Sequence, residues 1–154
     1  MSYQHKLKAF GVAWPELEQP AELPFSPTVR VGDVIYVSGQ IPEVGSEIVT
    51  IGQVGGEIDV AAAQQSARLC AANVIYWIHE ALSGDLDRVV QVAKLNIYVN
   101  AVPGFTSYSL VGNGASEVMN GFFGTRGEHA RCAIGMGGLP ANVPVEVDAI
   151  FHVR

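Results

Sequence analysis

The chain has 154 residues, 49% of them apolar and only 16% charged, with a mean hydropathy of +0.25 and a formal net charge of −6. Its length suits one domain with its own core, and its 15 carboxylates against 9 basic side chains work against a nucleic-acid partner. No apolar run reaches the roughly 18 residues of a membrane helix, and Met1 to Lys6 is not followed by a signal-peptide core.

A cytoplasmic location is therefore expected. So much apolar content for a lone soluble chain predicts that other copies cover part of the surface. Cys70 and Cys132 could form at most one bridge, which a chain this long does not need, and both are expected as reduced thiols.

One domain is expected over 1–154. Pro15, Pro20, Pro24 and Pro27 predict an irregular leader laid over it, with 1–23 ahead of the first element. Val29-Arg30-Val31 and Val34-Ile35-Tyr36-Val37-Ser38 flank Gly32-Asp33, a two-residue connection that suits the primed turn of a β-hairpin. Residues 41–58, with Pro42 and several glycines, read as a loop or a loosely held edge around Ile48 to Ile51.

Asp59 can cap a long amphipathic helix in which Ala63, Ala67, Cys70, Ala71, Val74, Ile78 and Leu82 recur at spacings of three and four, and Gly84 can close it. Arg88 to Val99 follows as a central strand, with Val89, Ala93, Leu95, Ile97 and Val99 on one side and Val90, Val92 and Tyr98 on the other. Pro103 to Gly124 reads as a second helical region, broken or kinked at Gly112-Asn113-Gly114. His129 to Met136 and Pro144 to Val153 are strands, the last with Glu146, Asp148, Ile150 and His152 alternating against valines, alanine and phenylalanine. The order ββ, α, β, α, ββ predicts an α+β fold: a mixed sheet with two helices on one face and the other face left for partners.

Several signatures fail on inspection. His79-Glu80-Ala81-Leu82-Ser83 has serine where a zinc-protease helix needs its second histidine, and the segment from Gly112 to Glu117 lacks the third glycine of a dinucleotide turn. Neither a metal nor a cofactor is expected.

Arg131 stands apart because it lies in the otherwise small, apolar run Ala130 to Met136, where a guanidinium needs an anion. One reading is a structural ion pair with Glu146 or Asp148 of the next strand; the other is a forked clamp on a small carboxylate. Glu146 points away from the valines beside it, to solvent or into a cleft. Cys132, next to Arg131, could be a thiolate nucleophile or a substrate contact, yet strand alternation sends it to the side opposite Arg131, where core filler is the simpler role. His129 shares the side of Arg131 and could donate to a substrate, although a histidine at a strand end is usually just polar edge.

Five segments in order, Tyr36-Val37-Ser38-Gly39-Gln40-Ile41-Pro42, Gly84-Asp85-Leu86-Asp87-Arg88-Val89-Val90, His129-Ala130-Arg131, Leu139-Pro140 and Val145-Glu146-Val147-Asp148-Ala149, resemble the Rid family of reactive-intermediate deaminases. The family is also called YjgF-like, and in older usage endoribonuclease L-PSP. The likeness spans about Pro24 to Val153. It implies a six-stranded mixed sheet backed by two helices, resembling chorismate mutase, assembled as a homotrimer with ligand clefts between subunits.

The resemblance also implies hydrolysis of small enamines and imines, such as 2-aminoacrylate, to 2-keto acids and ammonia. Arg131 would hold the substrate carboxylate, Glu146 would orient water, and Ser38 and Gly39 would line the pocket. Phe25 stands where many members carry a tyrosine; it can stack on a ligand but has no hydroxyl. The stretch Gly112 to Asn120 is longer than in well-known members, so both Asn113 and Ser116 are candidates for the family's helix asparagine. Two other functions compete: a module that binds a small keto or amino acid without turnover, favoured by Phe25, and a ribonuclease, disfavoured by the acidic charge.

Overall fold

The computed structural model describes residues 3–19 and 22–154. Its centre is a five-stranded mixed sheet in the order β1 (Thr28–Val31), β2 (Val34–Gln40), β7 (Val145–Val153), β5 (Val89–Asn100), β6 (Ala130–Met136). Strands β1 (Thr28–Val31) and β2 (Val34–Gln40) form the expected hairpin, with Gly32 at φ +58 in the turn. Helix α2 (Val60–Ala81) starts at Asp59, whose Oδ1 accepts the Ala62 N–H at 2.7 Å, a cap worth about 1 kcal/mol. Strand β5 (Val89–Asn100) runs antiparallel to β7 (Val145–Val153) and parallel to β6 (Ala130–Met136), and helix α3 (Tyr108–Phe123) makes the crossover between β5 and β6.

Both long helices pack on one face of the sheet. Under them lie Ile35 and Val37 of β2, Leu95, Ile97 and Val99 of β5, and Val145, Val147, Ala149, Phe151 and Val153 of β7, all buried. Among the described residues the other face carries no helix, and it leaves Tyr36, Val90, Ile134 and Met136 exposed.

Four details depart from expectation. The resemblance implied six strands in one sheet; here five make the sheet, and β3 (Glu43–Val44) and β4 (Glu47–Ile48) pair separately as a ribbon. Asn73 of α2 donates to the carbonyls of Ile41 and Glu43 at 3.1 Å each, drawing that segment onto the helix. The leader is not wholly irregular. It opens with α1 (Tyr3–Lys8), which buries Leu7, and Val12 and Leu17 follow it into the interior; Pro20, counted in that leader, lies outside the described residues.

The third departure is α3, a single helix through Gly112 and Gly114. These glycines permit close approach instead of breaking the helix: a side chain at Gly114 would run into the backbone of Gln64 in α2, and one at Gly112 would come to 3.2 Å from Ala133 and 3.3 Å from the Arg131 guanidinium. Fourth, β5 is bulged between Val89 and Gln91 and again between Val92 and Lys94. Each bulge reverses the alternation, so Val92 joins the buried face while Ala93 is exposed.

Candidate functional site

Along β6 and its neighbours, facing follows from register. Arg131 pairs with Leu95 of β5, which is buried beneath the helices, so the arginine leaves the sheet on the helix side. Three residues along β5, Tyr98 pairs with Glu146, and the odd offset puts Glu146 on the helix-free side. Within one chain Arg131 and Glu146 therefore stand on opposite faces of the sheet. The structural ion pair considered for Arg131 is absent: no carboxylate among the described residues comes within salt-bridge distance of it.

Arg131 lies against α3. Its Nη1 donates to Ser116 Oγ at 3.1 Å and its Nη2 to the Ser109 carbonyl at 3.1 Å. Asn113, Ser116, Asn120, Glu128, His129 and Arg131 line an open cleft of about 380 Å³ between the helix and the edge strand. Ser109, Asn113, Ser116 and Asn120 recur at spacings of four, three and four, a polar stripe on one face of α3. His129 Nδ1 lies 2.6 Å from the Gly127 carbonyl and its Nε2 2.9 Å from Ser116 Oγ.

A second cluster occupies the helix-free face. Glu146 is half-buried there against Gly39, where an added Cβ would displace its carboxylate, and burial first, with the neighbouring Asp148 charge second, holds its carboxyl above the usual range. Tyr98 donates to Asp148 Oδ2 and Asn96 to Oδ1, both at 2.7 Å, and the hydrogen bond to Asp148 is the largest of the effects that push the Tyr98 hydroxyl up to about 12. Ser38 Oγ donates to the Ser26 carbonyl at 2.7 Å, which ties β2 to the loop carrying Phe25, itself 55% exposed.

Cys132 is exposed on this face, its Sγ 3.7 Å from Lys94 Nζ, so it is no partner of Arg131 within the chain. Cys70 is buried, and burial pushes its thiol well up, which leaves it inert. The candidates thus separate into two groups: Arg131 with His129 and Ser116 on one side, Glu146 with Ser38, Gly39 and Cys132 on the other.

A family model described as Endoribonuclease L-PSP matches residues 16–153. The chain belongs to this family. Among Endoribonuclease L-PSP (YjgF/Rid) relatives, Protein TCP17 of Trypanosoma cruzi is 42% identical over 149 residues, covering 96% of this chain and 92% of its own. The 2-iminobutanoate/2-iminopropanoate deaminase of Dermatophagoides farinae is 30% identical over 143 residues, 93% of this chain and 95% of its own. A crystal structure of the protein Atu1372 from Agrobacterium tumefaciens, of unknown function, superposes with a TM-score of 0.90 at 40% identity, covering 98% of this chain and 91% of that one. The α+β architecture with a mixed sheet and helices packed on it is that of the Rid fold, as the sequence resemblance implied.

On the cleft's helix side the resemblance had offered Asn113 and Ser116; Asn120 and the Ser109 carbonyl were not expected. The signal for them was the stripe at Ser109, Asn113, Ser116 and Asn120, hidden while the helix was read as broken at Gly112 to Gly114.

Proposed function

We propose that the chain hydrolyses small carboxylate-bearing imines and enamines, of the 2-aminoacrylate kind, to 2-keto acids and ammonia. The observation that carries this reading is the state of Arg131. A guanidinium offers five N–H donors; two are engaged by Ser116 and Ser109 in the described structure, and no carboxylate neutralises the charge. A planar cation with free donors in an open cleft suits a carboxylate bound through two parallel hydrogen bonds. Holding the substrate there fixes its imine carbon for attack and removes much of the entropy cost of reaction. The named deaminase among the relatives supports the reaction type.

Glu146 reaches such a cleft only from a second copy of the chain. The exposed apolar residues of the helix-free face, Tyr36, Ile134 and Met136, favour an assembly in which that face meets a neighbour, and a homotrimer with clefts between subunits would satisfy it. In this arrangement Ser38, Gly39 and Phe25 belong to the second wall, with Cys132 on that side as well.

A second reading, binding of a keto or amino acid without turnover, is favoured by the separation of Glu146 from Arg131 within one chain and by Phe25, which can stack but cannot donate. Keto-acid formation from an imino acid generated in situ by a pyridoxal-phosphate dehydratase decides between them. Acceleration by the native chain that is lost in Arg131→Ala supports hydrolysis; saturable binding of the keto acid without acceleration supports the binding module.

A further inference from the structure

The hydrogen bonds around Ser116 have a fixed direction. Arginine can only donate and a carbonyl can only accept. His129 Nδ1 must therefore carry the proton it gives to the Gly127 carbonyl at 2.6 Å, and in the neutral ring Nε2 is an acceptor 2.9 Å from Ser116 Oγ. Ser116 in turn accepts from Arg131 Nη1 at 3.1 Å and gives its own proton to His129. The chain Arg131, Ser116, His129, Gly127 thus has one arrangement when the imidazole is neutral.

It has a second when the imidazole is protonated. Nε2 then donates to Ser116 Oγ, and the serine proton is free to turn into the cleft that Ser116, His129 and Arg131 line together. We propose that Ser116 and His129 form the proton carrier of this cleft, Ser116 meeting the substrate nitrogen and attacking water while His129 stores the proton behind it. This rests on the imine-hydrolysis reading and supplies the acid and base that Glu146, on the opposite face, does not provide within the chain.

The steps balance. The serine proton passes to the imine nitrogen as the Nε2 proton replaces it on Oγ, leaving His129 neutral. Water then bonds to the iminium carbon and the C=N π pair returns to nitrogen; the water proton goes to Ser116 and the serine proton to Nε2, which restores the imidazolium. The same pair protonates the amino nitrogen of the resulting carbinolamine, the C–N bond breaks, the carbonyl forms, and the hydroxyl proton returns to the dyad as ammonia leaves.

Position supports the role. In a 2-imino acid the reacting carbon is bonded directly to the carboxylate, so a proton carrier for its nitrogen has to stand beside the group that holds the carboxylate, and Ser116 is hydrogen-bonded to Arg131. A cationic imidazole next to a guanidinium is matched by the charge of the bound substrate and by Glu128, which lines the same cleft.

The test uses the full chain, folded variants checked by circular dichroism, keto-acid production as the rate, and calorimetric binding of pyruvate as the stable probe. His129→Gln should lower kcat by about 100-fold or more, the usual weight of general acid-base catalysis, with pyruvate affinity kept within about threefold. Ser116→Ala should behave likewise, and added imidazole should restore part of the rate of His129→Gly, which a merely structural histidine would not allow. In the native chain, 15N shifts of neutral His129 should place its proton on Nδ1.

If the native chain is active and Arg131→Ala is not, but His129→Gln keeps kcat within about threefold, the proton carrier is overturned while imine hydrolysis stands. A proton on Nε2 in the neutral ring overturns it as well. A native chain that gives no acceleration overturns both readings together.

Discussion

Arg131 and Glu146 leave the same sheet on opposite faces, because their partners on β5, Leu95 and Tyr98, are an odd number of residues apart with no bulge between them. Two residues that the sequence places only 15 positions apart are thereby assigned to different walls. Each can be tested on its own.

Arginine at 131 bridges Ser116 and the Ser109 carbonyl with separate nitrogens and has donors left over. Lysine keeps the charge but has a single nitrogen and no fork. Arg131→Lys should weaken pyruvate binding by about 10- to 100-fold, the range expected for losing a charge-assisted hydrogen bond. Calorimetry on the folded variant checks it; unchanged affinity would remove Arg131 from the ligand site.

Gly39 gives Glu146 its place, since a Cβ there would occupy the position of the carboxylate end. That end belongs to a flexible side chain, so Gly39→Ala should leave the denaturation midpoint within a degree or two, an effect of about 0.5 kcal/mol or less, while displacing Glu146. On the assembled-site reading, keto-acid production should then fall. A variant as active as the native chain would exclude a working role for Glu146 in its present position.

Burial holds the Glu146 carboxyl above its usual range, with Asp148 adding to the effect. A carboxyl raised in the folded state favours folding only while protonated, so that contribution is full at low pH and is lost as pH climbs through the folded value. Glu146→Gln should therefore be more stable than the native chain at neutral pH, with the difference shrinking towards about pH 4 as the native carboxyl protonates. Urea unfolding at the two pH values reads this directly, and a variant destabilised at neutral pH contradicts it.

Gly114 meets the Gln64 backbone where α3 crosses α2, and backbone cannot step aside as a side-chain tip can. Alanine would favour the helix by about 1 kcal/mol, but overpacking at such a contact costs about 1–3 kcal/mol or more. Gly114→Ala should lower the urea midpoint despite the better helix former. A raised midpoint would mean the helices separate freely there.

The elements that rest on local chemistry were legible: the Gly32-Asp33 hairpin, the Asp59 cap and the stripe from Ala63 to Leu82 all needed only neighbours in the chain. What was hidden depends on distant partners. The glycines of α3 looked like breakers because the sequence does not show that Gln64 and Arg131 press against them. The face taken by Val92 turns on bulges set by pairing with β7, and the separation of Arg131 from Glu146 turns on the register of three strands at once. The isolated cation in an apolar run was visible from composition, and strand alternation put His129 on its side; that Ser116 joins the two by hydrogen bonds was not visible, because they meet only after β5, α3 and β6 close their crossover.

At Gly112 the helix offers bare backbone, and the Arg131 guanidinium lies over it. That vacancy works as a seat whose height is set by one side chain. Any larger residue there would press on Ala133 of β6 as well as on the guanidinium, lifting the cation towards the cleft mouth and shortening the space above it. On the imine-hydrolysis reading, position 112 is therefore a ruler for the length of acid that fits above the guanidinium.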